Sequence, residues 1–96
     1  MKVRYTPRAR DDLQAIYLYL DQVSPSGAKS VKQTLERRIR LLGDIPFIAP
    51  ATDEPGVYEL SIVRYRYKVY YRVENDEVRI VHIRHTSRRP PDLSGL

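Results

Sequence analysis

Between Arg64 and Val73 the side chains alternate in kind along the whole run, and this places the segment in a β-strand with two unlike faces. Tyr65, Tyr67, Val69, Tyr71 and Val73 fall on one side, Arg64, Arg66, Lys68, Tyr70 and Arg72 on the other, because successive strand side chains point to opposite faces. One face packs against a core. The other presents cations around one aromatic ring. Val57 to Val63 and Val78 to His85 also read as strands, and Glu74-Asn75-Asp76-Glu77 is a polar turn suited to a hairpin between the last two. The final run is partly apolar in both of its alternating sets, as a strand covered on both faces for part of its length would be.

The first half of the chain has a different period. Lys2 to Tyr5 alternates like a short strand, and Thr6-Pro7 then offers a helix N-cap followed by proline at the first helical position. From Pro7 to about Val23, Leu13, Ile16, Tyr17 and Leu20 recur at helical spacing, with Asp11 and Asp12 read as partners of the helix dipole. Ser24-Pro25-Ser26-Gly27 breaks this helix. A second is expected from about Ala28 to Leu42, with Val31, Leu35, Ile39 and Leu42 on its buried stripe and Gly43 closing it. The short joint makes the two an antiparallel hairpin. Residues 45 to 56, with three prolines and a glycine, form a stiffened connection to the sheet with no evident chemistry of their own.

The expected fold is therefore α+β in two layers: an N-terminal strand, a two-helix hairpin, and a three-stranded antiparallel meander carrying the helices on one face. A length of 96 residues allows one domain, 1–96. With 42% hydrophobic and 30% charged residues and no cysteine, the core must hold by packing alone, and a reducing cytoplasm is the expected setting. The N-terminus carries no apolar signal core, and no run approaches the length of a membrane-spanning helix.

Charge narrows the function. Seventeen basic against twelve acidic side chains give +5, and residues 63 to 89 hold eight of the cations with only three carboxylates. Such an excess attracts polyanions or an acidic protein. Four scattered glycines exclude a phosphate-cradling loop, so no nucleotide cofactor is expected. His82 and His85, three apart on a strand, point to opposite faces and cannot share a metal ion. Ser61 and Ser87 have no nearby histidine and carboxylate pattern for nucleophilic catalysis. What remains is the cationic face, where Arg66, Lys68, Tyr70 and Arg72 have the composition of a single-stranded nucleic-acid contact or of a solvated sheet face. For RNA cleavage an acid or base is also needed, and His85, beside Arg84, Arg88 and Arg89, is the better-placed candidate; His82 is read as a packed core histidine.

Taken in order, Thr6-Pro7-Arg8-Ala9-Arg10-Asp11-Asp12-Leu13 at the first helix, and Tyr67-Lys68-Val69-Tyr70-Tyr71-Arg72-Val73 followed by Val78 to His85 and Arg88, resemble the RelE/ParE superfamily of toxins from bacterial type II toxin–antitoxin systems. The resemblance covers nearly the whole chain. It implies a cytoplasmic toxin neutralised by an acidic antitoxin from a neighbouring gene, and a target that is either DNA gyrase, as for ParE, or ribosome-bound mRNA, as for RelE. Lys68 matches an arginine of the RelE middle strand and Arg88 the arginine beyond the last strand. Ser61, however, stands where RelE has a lysine, and the tail after Arg88 contains no tyrosine.

The missing groups turn the reading toward ParE, an inhibitor of DNA gyrase without a catalytic site. Arg64, Arg66, Lys68, Tyr70, Arg72, Arg84, Arg88 and Arg89 are its candidate target or nucleic-acid contacts. In the RNase alternative Lys68, His85 and Arg88 are the catalytic candidates, and a third class is an inactive relative that binds antitoxin and represses its own promoter. Leu18, Tyr19 and Leu41, off the helical core stripes, are the candidate antitoxin contacts. No metal and no cofactor is expected.

Overall fold

A computed structural model describes residues 1–87 and 93–95. Strand β1 (Lys2–Tyr5) leads into α1 (Pro7–Val23) and α2 (Pro25–Leu41), then β2 (Tyr58–Ile62), β3 (Tyr67–Glu74) and β4 (Glu77–His85), with a short 3-10 turn at Val63–Tyr65 and another at Leu93–Gly95. The sheet order is β1-β4-β3-β2. β2, β3 and β4 form the antiparallel meander, and β1 adds to β4 in parallel. This is the two-layer α+β fold that the sequence predicts.

Local chemistry explains the helix boundaries. Thr6 caps α1 with its hydroxyl accepting the Ala9 amide at 3.2 Å, and Pro7 follows at the first position, where no amide donor is needed. The joint between the helices is tighter than the sequence suggests. Ser24 alone separates them: its amide donates to Leu20 O at 2.8 Å, closing α1, and its hydroxyl accepts the Gly27 amide at 3.3 Å, opening α2. Pro25, Ser26 and Gly27 are thus the first turn of α2 and not a loop. Serine capping and a proline at the first helical position outweigh the reading of that tetrapeptide as a breaker.

The expected stripe of α2 is buried in full, with Val31, Leu35, Ile39 and Leu42 joining Tyr67, Val69, Tyr71, Ile80 and Ile83 of the sheet in the main core. α1 contributes Ala9 to it, while Leu13, Ile16, Tyr17 and Leu20 are only partly buried. Gly43, just past α2, is required by close approach: a Cβ there would lie 2.6 Å from Met1 O, and the Met1 ammonium donates to Gly43 O at 2.7 Å.

Two features of the sheet depart from regular alternation. Asn75 and Asp76 both take positive φ, 54° and 58°, and make a two-residue hairpin turn between β3 and β4. Farther along, Tyr70 pairs with His82 but Tyr71 with Ile80, so Val81 is an unpaired bulge residue. The bulge is why the β4 sequence reads as apolar in both alternating sets. Ile80 and Ile83 face the helices, whereas Val81 joins Val57 and Tyr70 in a second, smaller apolar cluster on the outer face, with Leu93 packed on it. Among the described residues no helix is long and apolar enough to cross a membrane.

Candidate functional site

The cationic stripe expected on the middle strand is divided by the backbone. Because Ile62 pairs with Tyr67, the chain must reverse over residues 63–66, and Arg64 and Arg66 leave the strand in that turn. Arg66 sits in the left-handed region at φ 60°, ψ 42°, and the Arg64 guanidinium lies 5.2 Å from the Tyr65 ring centre. Both arginines are exposed, beside Val63 at 81% exposure. Lys68 and Arg72 remain on the strand.

On the outer face the cations are largely compensated. Lys68 Nζ lies 3.3 Å from Glu59 Oε2, a carboxylate supplied by the neighbouring strand β2. The Arg72 guanidinium donates to Pro55 O at 3.2 Å, over Gly56, whose φ of 79° and lack of a side chain leave room for it. Tyr70, which the sequence places in solvent, is only 2% exposed. Its ring stacks on His82 at 5.7 Å between centres, and its hydroxyl accepts a hydrogen bond from Arg84 Nε at 3.0 Å. Burial, joined by the nearby Glu59, raises the phenol's pKa above its ordinary value despite the opposing arginine. A cavity of about 500 Å³ opens on this face, carrying Lys68 and Arg84 but also Asp53, Glu54 and Glu59. The face is mixed in charge. It is not the cationic surface that the strand alone predicts, because β2 and the loop before it bring three carboxylates across.

The register also decides which group shares the face of Lys68. Lys68 pairs with Arg84, and Tyr67 pairs with His85. Arg84 is therefore beside Lys68, and His85 lies on the opposite, helix-covered face, edge-on to the Tyr67 ring at 5.2 Å. There His85 Nδ1 accepts the Ser87 amide at 3.2 Å, which leaves the proton of the neutral ring on Nε2. His85 lines a cavity of about 410 Å³ with Asp12, Ile16, Tyr19, Tyr67 and Arg84. Arg88 and Arg89 lie outside the described residues. Lys68 and His85, grouped for catalysis in the RNase alternative, are on different sides of the sheet.

His82 is buried, as its position deep in the strand suggests, but its partner is a surprise. β1 ends opposite Ile80, and the edge of β4 beyond it is taken by Asp12 of α1, whose Oδ2 accepts both His82 Nδ1, at 2.7 Å, and the Ile83 amide, at 3.0 Å. Asp12 is thus not a dipole partner: it stands in the second turn, past the first-turn amides, and serves as a substitute for the missing strand. Nothing in the sequence links residues 12 and 82. The helix-layer candidates do stand in solvent, with Leu18 58%, Tyr19 63% and Leu41 44% exposed.

Residues 3–90 match the family model for the ParE toxin of the type II toxin–antitoxin system parDE. The chain belongs to the ParE toxin family. It is also similar to a solved structure of the chromosomal ParDE toxin–antitoxin system from P. aeruginosa, at 25% identity and a TM-score of 0.78 over 88% of this chain and 95% of that one. The isolated E. coli RelE toxin and the intact E. coli RelBE toxin–antitoxin complex share the fold, at 15% and 14% identity and TM-scores of 0.60. Each alignment covers 91% of this chain, with 85% of the RelE chain and 98% of the RelBE one. No curated protein matches the sequence. The chain is thus a ParE-type toxin that shares its fold with RelE, and toxins of type II systems pair with an antitoxin.

Proposed function

We propose that this ParE-type toxin arrests growth in the cytoplasm by binding DNA gyrase without cutting nucleic acid, and that an acidic antitoxin neutralises it. The observation that carries this reading is the separation of Lys68 from His85 by the sheet. General acid–base cleavage needs the proton-transferring group within hydrogen-bond reach of the atom it serves, next to the cations that hold the phosphate. On the face of Lys68 the titratable rings among the described residues are Tyr70, buried with a raised pKa, and His82, buried against Asp12, while Arg84, which also lines the His85 cavity, is tied to the Tyr70 hydroxyl. Tyr70 is therefore unsuited to act as a base at neutral pH. The exposed turn carrying Arg64 and Arg66, together with Lys68, is the proposed target contact, and Leu18, Tyr19 and Leu41 on the helix layer are the proposed antitoxin contact.

The test is to induce the toxin without antitoxin and follow DNA and protein synthesis by separate pulse labels over the first minutes. Early loss of DNA synthesis, with inhibition of supercoiling by purified gyrase, is the expected result. Prompt loss of protein synthesis would make it an mRNA-cleaving toxin, and no early change in either would leave an antitoxin-binding relative without toxic activity. His85→Ala should retain full growth inhibition at matched expression, whereas the general acid of an RNase would lose ~10²-fold or more. Replacing Arg66 and Lys68 together by glutamate should abolish inhibition with unchanged circular dichroism.

A further inference from the structure

The charge that is left uncompensated lies elsewhere, on α2. This helix carries five cations, Lys29, Lys32, Arg37, Arg38 and Arg40, against the single carboxylate of Glu36. At 100° per residue, Lys29, Arg37 and Arg40 share the side away from the buried stripe, whereas Lys32 flanks the stripe on the side of α1; all four are exposed. The sheet's cations meet carboxylates, Arg4 at Glu77, Lys68 at Glu59, and Arg79 at Glu74 and Glu77. Among the described residues no cation of α2 has such a partner. Lys32 lies over the Tyr17 ring, 5.2 Å from its centre, a contact that keeps its charge.

Three properties of this face select its partner. From Lys29 to Arg40 every exposed side chain of α2 is polar, with Ser30 and Gln33 adding hydrogen-bond donors. A protein interface needs apolar or aromatic anchors at its centre and is poor in lysine, and the exposed apolar side chains of the helices stand on α1 at Leu18, Tyr19 and Val23 and at the very end of α2 at Leu41. Phosphate backbones are held by lysine and arginine with serine and glutamine beside them. No exposed aromatic ring sits among these cations to stack on an unpaired base, which favours a duplex over a single strand. The stripe spans ~16 Å of a rigid helix, along which duplex DNA offers a charge every ~1.7 Å of its axis.

We infer that the exposed face of α2 is a binding surface for the phosphate backbone of duplex DNA, independent of sequence and separate from both the turn at Arg64 and Arg66 and the apolar face of α1. Three phosphates neutralised give a slope of log affinity on log salt of about −2.7, so binding falls ~40-fold between 50 and 200 mM salt. Glu36, in the middle of the stripe, opposes the interaction.

Fluorescence anisotropy of the full chain with a labelled 20-base-pair duplex of arbitrary sequence, titrated at several KCl concentrations, tests this directly and does not depend on gyrase. Neutralising Lys29, Arg37 and Arg40 together by glutamine should weaken binding at least ~10-fold at 50 mM KCl and flatten the slope toward zero. Glu36→Gln should tighten binding several-fold, an outcome that a misfolded variant would not give. The inference is overturned if the duplex does not bind at 50 mM KCl or if the triple variant binds like the parent. It is equally overturned if a 20-nucleotide single strand is preferred. Tighter binding of polyglutamate than of the duplex would assign the face to an acidic protein instead.

Discussion

The outer face of the sheet and the solvent face of the helices both carry cations, but they hold them differently. On the sheet Lys68 meets Glu59, Arg79 meets Glu74 and Glu77, and Arg84 meets the Tyr70 hydroxyl. On α2 the cations stand over a thick apolar core and have no carboxylate partner among the described residues. The difference follows from geometry. Adjacent strands bring side chains from distant parts of the chain within ~5 Å, so a carboxylate can be supplied by a neighbour, whereas the exposed face of a surface helix meets only its own residues. Cations on a sheet tend toward structural pairing. Those on a helix keep their charge for a partner.

The comparison can be broken at several points. The largest effect should come from beneath the helices: Leu35→Ala, at a fully buried position, should cost about 2–5 kcal/mol in urea unfolding. Leu93→Ala, on the thin outer cluster, should cost only about 1 kcal/mol. A loss at Leu93 equal to that at Leu35 would mean that the outer face is a second core. Next in size, Asp12→Ala leaves the Ile83 amide and His82 Nδ1 without their acceptor and should cost about 1–3 kcal/mol. A cost near zero would show that water replaces the carboxylate at that edge.

Smaller effects sharpen the contrast. The Tyr17 hydroxyl is buried without a hydrogen-bond partner among the described residues, and Tyr17→Phe should stabilise the fold by about 1 kcal/mol at neutral pH. Burial first, then the charge of Glu36, pushes this phenol up to about 12. Since the folded state holds the proton more tightly than the unfolded chain, whose phenol titrates near pH 10, the Tyr17 contribution is whole below pH 10 and is lost as pH rises toward 12. Urea midpoints at pH 9 and 11 should fall less for Tyr17→Phe than for the parent. Removing Lys68 and Glu59 singly and together should give a coupling of about 0.5–1 kcal/mol, the size expected of a partly exposed pair. Neutralising Arg37 and Arg40 should shift stability by no more than about 0.5 kcal/mol. A larger loss would make the α2 stripe structural and remove the reason to assign it a ligand.

The sequence by itself determined the elements and their order, because period, capping and turn chemistry are local. Thr6-Pro7 opens a helix, Val31, Leu35, Ile39 and Leu42 define its partner's buried stripe, and Asn75-Asp76 closes a hairpin, each readable within a few residues. Only the tertiary structure decided the site. Whether Arg84 or His85 stands beside Lys68 depends on strand register, the burial of Tyr70 on the bulge at Val81 and the tail at Leu93, and the role of Asp12 on where β1 stops. Those are contacts between residues up to 71 positions apart, and a one-residue change of register would reverse the faces without altering any local pattern.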